Sequence, residues 1–193
     1  MPKTTPGTDG SHGSASTTSY QIIRDIVEKT DNGRGVGYHT ESRLEEFDKE
    51  ECRYVVCKVF KYLPETSPFG KVFLDEGRIR AIATIRDPRD IIVSMRTRHD
   101  GRNPSGKKSG TPFDFEATVK ASFPIWLGQL IQWVDLGPEI TLVSRFDEWT
   151  RNIFGEVTRI AAHLDIDLPR KKAGNIAKAY TIRAMREKAA RVR

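Results

Sequence analysis

Only two cysteines occur in the 193 residues, Cys52 and Cys57. If their segment is a strand, side chains five apart face opposite sides, which argues against a mutual disulfide. They read instead as reduced thiols of a cytoplasmic protein. Two thiols are too few for a metal site, and no metal is expected. No apolar run approaches the roughly 18 residues of a membrane span, and none follows Met1 as a signal peptide would. No internal repeat is visible. Residues 1 to 18 are rich in Gly, Ser, Thr and Pro and lack an apolar period. Residues 1–12 are accordingly read as a flexible leader to a single domain spanning 13–193.

What is present is a polar, globular composition, 37% hydrophobic and 30% charged, long enough for one domain with a sizeable core. Lys and Arg number 32 against 26 Asp and Glu, a formal net charge of +6. That balance suits an anionic ligand. Much of the excess lies between Arg170 and Arg193, so it does not all belong to one pocket.

The chain is organised around residues 78–96. Arg78 to Thr84 is short, apolar and β-branched, as a buried strand is. Arg86 follows at its carboxyl end, and Asp87 is placed to cap a helix that starts at Pro88. Ile91, Ile92 and Met95 give that helix an apolar face, and Ser94 lies about two turns past Asp87. A strand leading through an arginine into a helix start is where open α/β sheets bind anions. An ordinary strand-to-helix joint with surface arginines has the same local pattern.

Further strands are expected at 53–60 and 139–144 from their β-branched and aromatic content. Tyr20, Ile22, Ile23, Ile26 and Val27 give the face of a first helix, which a glycine-rich turn from Asp31 to Gly37 ends. Phe115 to Val134 has a helical apolar period, with Pro124 expected to kink or restart it. Its aromatic stripe reads as core before acceptor pocket. His39 reads as a surface histidine. Gly101 to Thr111 approaches a Walker A spacing but follows a helix rather than a strand, so it reads as a mobile basic loop over a ligand. The alternation of strands and helices makes the fold class α/β, a short parallel sheet flanked by helices.

The string Arg86-Asp87-Pro88-Arg89-Asp90, with Ser94 eight positions after the arginine, resembles the 3′-phosphate motif of sulfotransferases that use 3′-phosphoadenosine 5′-phosphosulfate (PAPS). A planar guanidinium fork and a hydroxyl suit a dianionic phosphate. The resemblance covers most of residues 12 to 186 in order. His12 to Tyr20 is similar to the 5′-phosphosulfate loop, with Ser14, Ser16 and Thr17 matching, while Gly13, Ala15 and Thr18 replace the family's Lys or Arg, Gly and Trp. A second registration on Pro2 to Thr8 restores a lysine, Lys3, but starts its helix in poor helix material. In either case the strand that precedes this loop in the family is not visible. Lys58 matches the lysine of the family's Lys-Thr-His strand end, with Phe60 at the histidine; a strand-end lysine in solvent is the other reading of Lys58. Arg145 to Trp149 and Thr181 to Met185 are similar to family segments beside the nucleotide. A further basic, glycine-containing loop of the family has no counterpart before Arg193.

The resemblance implies a P-loop nucleotide-type sulfotransferase fold and sulfuryl transfer from PAPS to a hydroxyl or amine acceptor. It implies Lys58 as the catalytic residue and Ser14, Ala15, Ser16, Thr17, Arg86, Ser94 and Thr181 as nucleotide-binding residues. The partners implied are the nucleotide co-substrate and an acceptor the sequence does not identify. A non-catalytic binder of PAPS or of its product adenosine 3′,5′-bisphosphate (PAP) is the alternative. A basic nucleic-acid binder is a third reading and not the expected one.

Overall fold

A computed structural model describes residues 5–9, 16–30, 33–38, 51–59, 62, 68–101 and 113–191. In chain order the elements are β1 (Thr5–Asp9), α1 (Ser16–Thr30), β2 (Gly33–Tyr38), β3 (Tyr54–Val59), α2 (Pro68–Asp75), β4 (Ile79–Ile85), α3 (Pro88–Gly101) and α4 (Phe115–Val134). They continue with β5 (Thr141–Arg145), α5 (Phe146–Arg151), α6 (Ile153–His163), α7 (Arg170–Ala179) and α8 (Ile182–Arg191). The five strands form one sheet in the order β2-β3-β1-β4-β5, and every pairing is parallel.

Alternation along β3 divides the core. Tyr54 and Val56 face one side with Ile22, Ile23, Ile26 and Val27 of α1, Val157 and Ile160 of α6 and Ile176 of α7. Val55, Cys57 and Val59 face the other, with Phe73 of α2 and Trp133 of α4. A parallel sheet covered on both faces requires near-continuous apolar strands, and β3 is buried at all six positions. Cys57 lies in the second core, where burial pushes its thiol up to about 12. Cys52 precedes β3 and touches the same core, so the two cysteines do not divide between faces; neither forms a disulfide.

Three expectations change. Thr5–Asp9, read from composition as part of a leader with no strand, is the middle strand of the sheet, with Gly7 opposite both Cys57 and Ala81. Pairing on both sides overrides the poor strand propensity of Pro6 and Gly7. This also removes the registration of the phosphate loop on Pro2 to Thr8. The expected turn from Asp31 to Gly37 gives way to the edge strand β2. Its glycines permit α1 to lie close, since a Cβ at Gly33 would stand 2.6 Å from Val27 Cβ and one at Gly35 would stand 2.5 Å from Arg24 Cγ. Third, α4 runs through Pro124 without a restart; the ring costs one helical hydrogen bond and does not end the helix.

Candidate functional site

All strands being parallel, their carboxyl ends share one edge. The connection from β1 leads to β2 on one side, and that from β4 leads to β5 on the other. The carboxyl ends of β1 and β4 therefore flank the crevice where open α/β sheets bind ligands. The turn from β4 to α3 stands on one side of it and the amino end of α1, whose first N–H groups have no partner within the helix, on the other.

The first turn of α1 is clamped from two strands. Lys58, on β3, belongs to the face that α1 covers, and its Nζ donates to Thr17 Oγ1 at 2.9 Å and to the Tyr38 hydroxyl at 2.7 Å. The same ammonium stands 4.6 Å from the Tyr38 ring centroid. Lys58 is 3% exposed, which removes the reading of a strand-end lysine in solvent. From β4, Thr84 Oγ1 donates to Ser19 Oγ at 3.0 Å in a buried bond. Thr18 donates to the Met185 sulfur at 3.6 Å, docking the start of α8 on this turn.

Across the crevice, Arg86 follows β4 directly. Its side chain is 22% exposed, with Nε 3.6 Å from Asp90 Oδ2 and the guanidinium 4.4 Å from the centroid of the Phe146 ring. Phe146 meets Trp149 edge to face at 5.0 Å. The turn from Arg86 to Asp90 and the segment Arg145 to Asp147 enclose a cleft of about 410 Å³, a size usual for small-molecule sites. Asp87 caps α3 as expected, accepting from Arg89 N at 2.8 Å. The Arg89 side chain and this N–H hold the Asp87 carboxyl at about 2, below the usual carboxylate range.

The structure thus brings Thr17, Lys58, Arg86 and the start of α1 at Ser16 to one sheet edge. Ser94 is half-buried on α3, one helical turn after Asp90. Thr181 caps α8, accepting from Ala184 N at 3.2 Å. Ser14 and Ala15 lie outside the described residues, as do Gly13, His39, Phe60 and the basic loop after Gly101. The residue that sequence reasoning missed is Tyr38. Its signal was its register, since it pairs directly with Lys58 once Gly33–Tyr38 is recognised as a strand. Beside Thr84 and Arg86, a separate apolar cavity of about 200 Å³ opens between Ile91 and the α4 residues Phe123, Trp126, Leu127 and Leu130. That half of the aromatic stripe therefore lines a cavity, whereas Trp133 is core.

Among the described residues no His, Cys, Asp and Glu cluster is arranged to hold a metal ion. No described helix is long and apolar enough to cross a membrane. No family model and no curated protein matches the chain. Solved structures do. Mouse sulfotransferase SULT7A1 complexed with PAP superposes with a TM-score of 0.70 at 17% identity, covering 95% of this chain and 65% of that one. Retinol dehydratase in complex with androsterone and inactive cofactor PAP gives 0.64 at 13% identity, covering 95% and 66%. A sulfotransferase from Alicyclobacillus acidocaldarius gives 0.56 at 12%, covering 86% and 83%. The fold is that of the sulfotransferases, as the sequence resemblance implied. The chain spans just under two thirds of the length of the first two of these structures.

Proposed function

We propose that the chain transfers a sulfuryl group from PAPS to a hydroxyl or amine acceptor, with the nucleotide in the crevice between the ends of β1 and β4. The observation that carries this reading is the buried Lys58 ammonium, held by Thr17 and Tyr38 beside the amino end of α1 with Arg86 across the crevice. Arg86 and Ser94 hold the 3′-phosphate, and Ser14, Ala15, Ser16 and Thr17 with their backbone amides hold the 5′-phosphosulfate. Thr181, at the start of the helix that Met185 docks on α1, stands on the adenine side. As the acceptor's bond to sulfur forms, the bond from sulfur to the 5′-phosphate oxygen breaks, and the acceptor's proton passes to solvent water. Lys58 neutralises the charge that grows on the leaving oxygen. As in phosphoryl transfer, positioning and charge stabilisation outweigh covalent catalysis. The cavity lined by Phe123, Trp126, Leu127 and Leu130 supports an acceptor with an apolar body. Two cysteines outside any disulfide support a cytoplasmic setting.

One feature of the sequence favours a second reading. Gly13 and Phe60 stand where the resemblance expects a basic residue and a histidine base, which suits a protein that binds PAP without turnover. Transfer of labelled sulfate from PAPS to a panel of phenols, alcohols and amines separates the two. Transfer supports the enzyme; PAP binding with no transfer to any acceptor supports the binder. Neither transfer nor preference for PAP over AMP would sink both.

A further inference from the structure

The chain has five tyrosines, all within the described residues, and four of them are sequestered. Tyr54, Tyr62 and Tyr180 are buried. Tyr20 is half-buried, and its hydroxyl accepts from Gly37 N at 2.7 Å. Tyr38 alone is exposed, at 60%, as the last residue of the edge strand β2. Its partner sets it apart from an ordinary surface phenol. The Tyr38 hydroxyl oxygen accepts at 2.7 Å from the ammonium of Lys58, the residue proposed to stabilise the leaving oxygen.

That contact puts a nucleophile where the transfer needs one. An ammonium donates in tetrahedral directions, so two oxygens bonded to it at about 2.8 Å stand roughly 4.6 Å apart. In-line attack uses nearly the same span: with the incoming oxygen about 3–3.5 Å from sulfur, roughly 5 Å separates it from the leaving oxygen. Tyr38 Oη and a leaving oxygen held by the same Lys58 therefore stand at the separation the reaction uses. Lys58 also stabilises the negative charge on the phenol oxygen as its proton departs. A phenol gives up that proton more readily than an alcohol, so it depends less on a histidine base, at whose place the resemblance puts Phe60. We propose that Tyr38 is a self-modification site, sulfated in cis from PAPS by the chain that carries it. This rests on the sulfotransferase reading and adds an acceptor within the chain itself. The bond from Tyr38 Oη to sulfur forms as the bond from sulfur to the 5′-phosphate oxygen breaks. The phenolic proton passes to solvent water, and the products are PAP and a tyrosine O-sulfate at Tyr38.

The test incubates the full chain with radiolabelled PAPS and no added acceptor. Label should accumulate toward one sulfate per chain, at a rate constant that does not change with protein concentration, as an intramolecular step requires. Tryptic cleavage after Arg34 and Arg43 should place all of it on the peptide 35–43. Alkaline hydrolysis of that peptide should release tyrosine O-sulfate, which separates Tyr38 from Thr40 and Ser42 on the same peptide. Tyr38→Phe should take no label even when incubated long enough to sulfate an external phenol, so the loss is not that of a slower or unfolded chain. A wild type that sulfates an external phenol while Tyr38 stays unlabelled overturns the proposal and leaves the transferase reading intact. So does a Tyr38→Phe chain labelled like wild type, or a rate constant that rises in proportion to protein concentration. Label on neither the chain nor any external acceptor removes the transferase reading as well.

Discussion

Arg86→Ala is the perturbation on which the nucleotide site stands or falls. The guanidinium is largely buried, lies over the Phe146 ring and has a carboxylate, Asp90, at 3.6 Å. A 3′-phosphate entering the cleft meets that guanidinium away from bulk water, where losing one partner of a charge pair costs about 2–5 kcal/mol. The expected loss of PAP affinity is thus ~30-fold to a few thousand-fold. The lower half of that range is favoured, because Asp90 already shares the guanidinium. For the same reason Asp90→Asn should tighten PAP binding by ~2- to 10-fold. Ser94→Ala removes one hydroxyl and should cost about 0.5–1.5 kcal/mol, or up to about 3 against a charged acceptor. AMP, which lacks the 3′-phosphate, should bind all three variants as it binds wild type. Titration calorimetry with PAP and AMP measures each case. Arg89→Ala is the control: its side chain is 89% exposed and paired with Asp87, so PAP affinity should change by less than ~3-fold. Equal losses from Arg86→Ala and Arg89→Ala would refute the reasoning, since the stretch would then act only as a basic helix start.

Tyr38→Phe keeps the ring beside Lys58 but removes the hydroxyl that accepts from it at 2.7 Å; kcat for sulfate transfer should fall by ~10-fold or more while PAP affinity stays within ~3-fold. An unchanged kcat would leave Tyr38 out of the site. Thr84→Val deletes the donor to the buried Ser19 hydroxyl and should cost about 1–3 kcal/mol in urea unfolding. A smaller loss of PAP affinity should accompany it, because Ser19 belongs to the first turn of α1. Burial lowers the His163 pKa from 6.5, against an opposing bond to the Ile140 carbonyl. The unfolded chain then takes up the proton first, so this residue's contribution is full above about pH 6.5 and is lost as pH falls through the lower folded value. Urea midpoints between pH 7.5 and 5 should fall less steeply in His163→Gln; parallel curves would exclude that contribution.

The segment from Arg78 to Ser94 was legible in the sequence because its determinants are local. β-Branched residues favour the strand, Asp87 accepts from its own helix, and Pro88 fits only the first turn. The apolar face of α1 was legible for the same reason, since a helical period needs no knowledge of the partner. Local chemistry argued against the strands at Thr5–Asp9 and Gly33–Tyr38, which are short and contain Gly or Pro. They become strands because β3 and β4 offer hydrogen-bonding partners in register and α1 needs glycine beneath it, facts that lie at long range. The same distinction separates the site residues. Sequence spacing brought Arg86 and Ser94 together, since one turn and one helix connect them. It left Lys58 between solvent and site, and it passed over Tyr38. Only the parallel register of β2 on β3, with α1 folded over that face, buries the ammonium between a tyrosine 20 residues before it and a threonine 41 residues before it.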